Sequence, residues 1–404
     1  MKAVMYGGGN IGRGFIGMLL SNSGYEVQFV DVVDAVVNTL NEKHQYPVRI
    51  IRTDGYTDID VKNVSAVDGK NPDAVAEAIA DADIMATAVG VNVLKFIVGN
   101  IANGLKLRKE RGAAPLNILI CENLMDANHV IEGMIKEYLN DEEKAWFDEN
   151  VGLVEASIGR MVPVQTEEMK DGDPMRVCVE SYGFLPVDKD AFKGNIPEIK
   201  NMVPFAPFDF YLKRKLYVHN MGHATCAYLG DLLGLEYIYE AIDKDEIYII
   251  VKGAMEESAR ALSKKYGVEL SEVMLHITDL LNRFTNAALR DTCKRVGGDP
   301  TRKLSPADRL IGSSSLALEV GVTPAYIAIG AAAGLHRYIN EADGMEQGTE
   351  SAKVVLDSVC KLETNGELAE LILDAYKMIT DGKSLAEIRR AADLTVAAKL
   401  NNVI

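Results

Sequence analysis

Lys215, Asn220 and His223 lie in the string Lys215-Leu-Tyr-Val-His-Asn-Met-Gly-His223, which gathers an amine, an amide and an imidazole in one short segment. If that segment is an α-helix, at about 100° per residue the three fall at roughly 0°, 140° and 80°, on one arc of the helix surface. A partly desolvated lysine there can have its pKa lowered far enough to serve as a base. An amide can hydrogen-bond an oxygen as charge develops on it, and an imidazole can orient the lysine or a substrate. Together they are equipment for taking a proton from an alcohol. A plainer reading stands beside this one: Lys215 forms a solvated basic face with Lys213 and Arg214, and Asn220 and His223 are incidental. Spacing alone does not choose between them.

The alcohol chemistry gains its motive from the other end of the chain. Met1–Tyr6 is a short apolar run suited to a buried parallel strand, followed at once by Gly7-Gly8-Gly9-Asn10-Ile11-Gly12 and an amphipathic stretch that predicts a helix. Gly7 permits a tight turn, Gly9 lets the main chain approach a pyrophosphate, and Gly12 lets helix and strand pack closely, with the helix N-terminus free to receive the anion. A second predicted strand, Glu26–Val30, delivers Asp31, whose carboxylate can accept from ribose hydroxyls and would repel a 2′-phosphate. No Arg or Lys follows until Lys43, so NAD is favoured over NADP.

Transfer of hydride from an alcohol needs a base, and three solutions are familiar: a zinc ion, a tyrosine–lysine pair, or a lysine or histidine alone. His219 and His223 form the only close histidine pair, and no cysteine or carboxylate lies at ligand spacing from them, so no metal is expected. Tyr211 and Lys215 make a Y-x-x-x-K string, but its place after a full dinucleotide domain and the G-x-G-x-x-G form of the first turn disagree with short-chain dehydrogenases. Lys215 with Asn220 and His223 remains.

These residues need a scaffold of more than one core, because 404 residues exceed an ordinary single domain. Up to about residue 200, strands near 2–6, 26–31, 48–52, 83–89, 116–121, 151–156 and 174–183 alternate with helical stretches at 74–80, 93–106 and 126–138. That alternation predicts an α/β dinucleotide-binding, Rossmann-type domain over 1–200, with the last strand free to pair antiparallel at an edge. Beyond Pro207 the apolar spacing becomes three to four residues, at 237–266, 271–289, 325–339, 351–362 and 368–379, which predicts a mainly α-helical domain over 201–404. Pro197, Pro204 and Pro207 place the boundary within 194–208, and 341–351 reads as an exposed loop.

The net charge of −16 argues against nucleic acid or an anionic membrane as partner, while leaving room for a small anion held by a local basic cluster. No apolar run is long enough to span a bilayer and the chain opens on a strand rather than a signal peptide, so a cytoplasmic protein is expected. Five scattered cysteines without metal-like spacing read as reduced and buried.

The string from Gly9 to Gly17 and the K-x4-N-x2-H segment together resemble the polyol-specific long-chain dehydrogenases. So do Thr87–Gly90, Asn117–Asn123, Val251–Ser258, Arg302–Ser305 and Asp308–Leu310, in the same order. Within that family the likeness is greatest to enzymes that interconvert D-mannitol 1-phosphate and D-fructose 6-phosphate. The resemblance implies a metal-independent reaction with Lys215 as general acid/base, Asn220 and Asn123 on the reacting oxygen, His223 beside them, and Ala88 and Val89 along the dinucleotide. Read alone, Asn123 is as well a helix cap. For a substrate phosphate, Arg302, Lys303 and Arg309 are the candidates, with Lys213 and Arg214 behind them, and an ordinary salt bridge stands as the alternative for each. Where the family commonly reads D-R-I-V-P, this chain has Gly159-Arg160-Met161-Val162-Pro163, which removes one carboxylate. A free polyol or a hexuronate is the rival substrate, and a non-catalytic dinucleotide sensor the rival of another class. The resemblance leans toward a monomer.

Overall fold

The computed structural model describes residues 1–124 and 126–401. It contains two compact units, Met1–Asp209 and Phe210–Ile404.

The described residues of the first unit form eleven strands: β1 (Lys2–Tyr6), β2 (Glu26–Asp31), β3 (Gln45–Arg52), β4 (Gly55–Lys62), β5 (Val64–Asp68), β6 (Ile84–Thr87), β7 (Leu116–Ile120), β8 (Val151–Glu155), β9 (Val177–Val179), β10 (Leu185–Asp188) and β11 (Met202–Phe205). Six of them form one sheet in the order β5-β2-β1-β6-β7-β8, every pair parallel. Chain order reverses between β1 and β6, and in such a sheet a crevice for ligands opens at the carboxyl ends of the strands flanking that point.

Strand β1 shows why its apolar run is continuous. Ala3 and Met5 pack with Phe15, Ile16 and Phe29 on one face, and Val4 and Tyr6 pack with Val75, Ile79 and Ile97 on the other. Helices therefore cover both faces, and neither face needs polar side chains.

Two expectations are corrected here. The segment near 48–52 is not part of the parallel sheet; β3 folds back on β4 across Thr53-Asp54 as an antiparallel hairpin. Its Asp-Gly pair is the usual hairpin signal, and Gly55 takes a φ of 142° there. The stretch 174–183 shrinks to β9, which pairs parallel with β3 in a separate three-stranded sheet rather than antiparallel at an edge. The third strand of the main sheet in chain order is β5, which lies at its edge beside β2.

The helix after the glycine turn also departs from expectation. It is a π-helix over Gly12–Gly17 before becoming α-helical at Met18–Asn22, and all six π residues are buried. Gly7 sits at φ 104°, and a Cβ on Gly12 would lie 1.9 Å from the Gly7 carbonyl oxygen. Turn and helix thus touch backbone to backbone.

The second unit is helical. Its central helix, Ala325–Glu341, is buried on most of its circumference and packs on helices Met221–Leu232 and Asp245–Tyr266. A helix apolar nearly all round belongs in a core. The remaining helices include Leu270–Phe284, Ile311–Glu319, Thr349–Ser358, Glu367–Thr380 and Leu385–Asn401. The loop expected at 341–351 is shorter, since the flanking helices reach Glu341 and begin again at Thr349.

Gly12→Ala tests the backbone contact that fixes the turn. Because the new Cβ meets a carbonyl rather than a side chain that can rotate away, the substitution is expected to lower the unfolding free energy by about 3 kcal/mol or more in urea denaturation. A loss below about 1 kcal/mol would show that the turn yields to an added methyl group.

Candidate active site

The glycine turn leaves β1 at the point where strand order reverses, and three side chains fix it. Asp31, at the end of β2, accepts the Gly8 N–H through Oδ2 at 2.7 Å and the Val33 N–H through Oδ1 at 2.9 Å. Each carboxylate oxygen keeps a lone pair for a further donor. Arg13 is buried and donates from Nε to the Gly8 carbonyl at 2.6 Å and from Nη1 to the Met175 carbonyl, while its own carbonyl accepts the Tyr46 hydroxyl at 2.7 Å. Glu122, also buried, accepts the Val89 and Gly90 N–H groups at 2.9 and 2.8 Å. That holds the second turn, Ala88-Val89-Gly90, after β6, and the Ala88 carbonyl backs Gly7.

The resulting site suits a dinucleotide. Gly9, Asn10 and Ile11 open the helix, Gly9 and Asn10 are exposed, and a Cβ on Gly9 would meet nothing within 4 Å. Val32 and Val33 expose apolar side chains next to Asp31, 58% and 51% accessible. One basic residue near Asp31 escaped the sequence reading. The Gly69 N–H donates to the Asp31 carbonyl at 2.9 Å, and the adjacent Lys70 pairs with Asp34 at 2.6 Å. Its charge is therefore answered locally by Asp34.

Asn123 is exposed just beyond β7 and makes no hydrogen bond among the described residues. It is not a helix cap. The following helix, Ala127–Lys136, has Asp126 at its N-cap position and receives the Glu155 carboxylate on the Ala127 N–H at 2.8 Å.

In the second unit Lys215 and Asn220 lie in a π-helix, Arg214–Asn220, which runs into the α-helix Met221–Leu232. Hydrogen bonding from residue i to i+5 brings Lys215 and Asn220 over one another, closer than the α-helical arc assumed from the sequence. His223 follows three residues later on the α-helical side and continues that face. Lys215 is half-buried, and its amine has no ion-pair or hydrogen-bond partner among the described residues. Desolvation, aided by the charge of Arg309, lowers its pKa to about 8. Lys213 and Arg214 do not share a solvated face with it. The Lys213 amine sits 4.9 Å from the Tyr217 ring centroid, and the Arg214 guanidinium 4.5 Å from that of Tyr211.

Around this segment the helix Leu270–Phe284 and the Asp291 loop supply groups that no local motif announces. His223 stacks on Phe284 at 4.9 Å between centroids and 16° between planes, and its Nε2 lies 3.2 Å from Asp291 Oδ2. His219 is buried, with its pKa well below the ordinary value through desolvation and then the charges of Arg283 and its histidine neighbours.

The basic cluster proposed for phosphate divides. Lys303 is corrected: its short helix, Pro300–Lys303, is capped by Asp299 and turns the amine inward onto the carbonyls of Val296 (2.6 Å) and Gly298, where burial lowers its pKa to about 8. Arg302 is exposed and held by Asp299 (2.8 Å) and Asp308 (3.3 Å). Arg309 donates through Nε to Asp308 at 2.7 Å, which leaves its two Nη groups, and its charge reaches Lys215. Lys303→Met is accordingly expected to cost about 1–3 kcal/mol of stability by stranding two carbonyls. It should leave the Michaelis constant for any phosphorylated substrate unchanged. A rise in that constant with no loss of stability would return Lys303 to the ligand side.

Comparison with known proteins places both units. The Rossmann-domain model of mannitol dehydrogenases matches residues 1–201, and the mannitol dehydrogenase C-terminal-domain model matches residues 208–386. Among solved structures, a D-sorbitol dehydrogenase in substrate-free form is similar with a TM-score of 0.82 at 17% identity, over 96% of this chain and 94% of that one. Pseudomonas fluorescens mannitol 2-dehydrogenase, solved as a ternary complex with NAD and D-mannitol, gives 0.70 at 14% identity, over 97% of this chain and 94% of that one. At such identities the likeness is one of fold. With its two units matched by the two domain models of a single family, the chain belongs to the mannitol dehydrogenase family of NAD-dependent polyol dehydrogenases.

Proposed function

We propose that this chain interconverts D-mannitol 1-phosphate and D-fructose 6-phosphate, with Lys215 as the general acid/base. The reading is carried by the Lys215 amine, half-buried, without a counter-ion among the described residues, and with a pKa lowered to about 8. When bound at the glycine turn and Asp31, NAD supplies the hydride acceptor for oxidation and, reduced, the donor for the reverse reaction. Its pyrophosphate would lie at the exposed helix start of Gly9 and Asn10, in the turn shaped by Gly7, Gly8, Ile11 and Gly12, and Ala88 and Val89 line the second turn.

In oxidation Lys215 takes the proton of the C5 hydroxyl as the C5–H bond gives up its hydride, and the amide of Asn220 donates to the oxygen as it becomes a carbonyl. By the family resemblance Asn123 is the second amide of this oxygen, and His223 the partner of a neighbouring hydroxyl. In reduction the lysine ammonium returns the proton. Arg309, with Arg302 on its flank, takes the substrate phosphate, because a bidentate guanidinium matches phosphate oxygens and an acidic protein must supply that charge locally.

A second reading is an unphosphorylated polyol or a hexuronate. It is favoured by the inward amine of Lys303 and by the two carboxylates on Arg302, which leave Arg309 as the main phosphate donor. Fructose 6-phosphate, fructose and tagaturonate, each assayed with NADH and with NADPH, separate the two. The first substrate with NADH should be far the best, and equal or better turnover of fructose or tagaturonate rejects the phosphate.

Two further outcomes are expected of Lys215. Lys215→Met should lower kcat by about 10³-fold while NADH still binds, and loss of both together would make the residue structural. Oxidation needs the free amine, so its kcat/KM should rise with pH through about 8 and then level; reduction needs the ammonium, so its kcat/KM should fall as pH passes about 8. Profiles flat across that range would assign the proton to another group.

A further inference from the structure

His223 has two ring nitrogens, and the structure commits one of them. Its Nε2 meets Asp291 Oδ2 at 3.2 Å, Phe284 lies flat against the ring, and Nδ1 has no partner among the described residues. Asp291 is itself held. Its other oxygen, Oδ1, accepts from Arg295 through Nε at 2.9 Å and through Nη2. Its carbonyl accepts the Ile238 N–H at 2.9 Å, and the Cys293 N–H donates to the Glu236 carbonyl at 2.9 Å. The loop is thereby tied to the segment that follows the His223 helix. Burial alone would raise the Asp291 carboxyl, but His223 and Arg295 together hold it below the ordinary value, as an acceptor-only carboxylate.

We propose that Asp291 is a positioning residue: it fixes neutral His223 as the Nε2–H tautomer and so leaves Nδ1 as a hydrogen-bond acceptor for a substrate hydroxyl. A carboxylate can only accept, so a neutral ring beside it must carry its proton on Nε2. A half-turn of the ring against Phe284 would put the carbon Cε1 in place of Nε2 beside Asp291 and lose that hydrogen bond, so the ring keeps this orientation. The substrate hydroxyl that meets Nδ1 then donates, which leaves its own oxygen free for other donors. The catalytic part of this inference rests on the reading of the chain as a polyol dehydrogenase, and the tautomer does not.

The test is ¹⁵N-resolved NMR of the His223 ring in the full chain, at a pH where the ring is neutral and with the signal assigned by its loss in His223→Asn. Kinetics of Asp291→Asn accompany it. Wild type should show Nε2–H. In the variant, Arg295 still demands an oxygen, so the new amide turns its NH₂ group toward Nε2 and drives the ring to Nδ1–H. With the acceptor lost, kcat/KM for the best polyol should fall by about 10–100-fold while the NADH dissociation constant holds. A wild-type ring found as Nδ1–H overturns the proposal, whether or not Asp291→Asn folds. In the variant, a flipped tautomer with unchanged kcat/KM, or a fallen kcat/KM with the tautomer retained, overturns it as well. A wild-type protein that turns over no polyol defeats the functional reading, while the NMR result still decides the tautomer.

Discussion

An amine taken out of water without a counter-ion shifts toward its neutral form, and the second unit depends on keeping one in that condition. The chain has 59 acidic residues against 43 basic ones, so leaving a lysine without a carboxylate partner takes arrangement. The acids close in sequence to its neighbours are already engaged. Asp308 is bound to Arg302 and Arg309, and Asp291 to His223 and Arg295. Had either paired with Lys215, the ammonium would have been stabilised and its pKa raised, and the amine would have been of no use as a base near neutral pH. Arg309 acts in the opposite sense, as a like charge that helps to keep the proton off.

The dinucleotide site depends on a different economy, the settling of backbone groups before any ligand arrives. Asp31 binds the Gly8 N–H, Arg13 binds the Gly8 carbonyl, and Glu122 binds two N–H groups of the facing turn. Buried or partly buried polar atoms left unpaired would each cost about 1–3 kcal/mol, so the turns would relax into other shapes without these partners. The exposed N–H groups of the helix start are what remains, and these are the ones that an anion can take.

Much of this was legible in the sequence because it is local. The turn from Gly7 to Gly12, Asp31, and most strands of the parallel sheet follow from apolar runs and glycine spacing, and the helices at 325–341 and 367–380 follow from their period. Misses have particular causes. The helix Asp141–Asn150 carries one buried residue, Phe147, and is sustained by an Asn140–Glu143 capping box, so it has little apolar period to find. The hairpin of β3 and β4 is announced by Asp54-Gly55, but an apolar run at 48–52 reads equally as another member of the main sheet. At the site, Arg13 and Asp291 act through contacts with Met175 and His223, far away along the chain. Lys303 failed for the converse reason: a basic residue beside two others suggests a cluster, yet one short capped helix decides which way its amine points.

The two π-helical turns fall at the two places where the chemistry is proposed, and the sequence signals neither. Each inserts one residue into the hydrogen-bond ladder and widens the helix, which costs favourable backbone geometry and persists only where neighbours hold it. At Gly12–Gly17 the wide turn is buried on every residue and packed against strands by small side chains. At Arg214–Asn220 it is fixed by the buried side chains of Tyr217, Val218 and His219. Tightening this second turn to α-helix would place Asn220 roughly 140° around from Lys215 instead of over it, since successive residues are then about 100° apart. Amine and amide would then lie farther apart on the helix surface. The inserted residue therefore brings a lysine and an asparagine closer together on one helix face, and the buried Tyr217 and His219 beneath them hold that geometry.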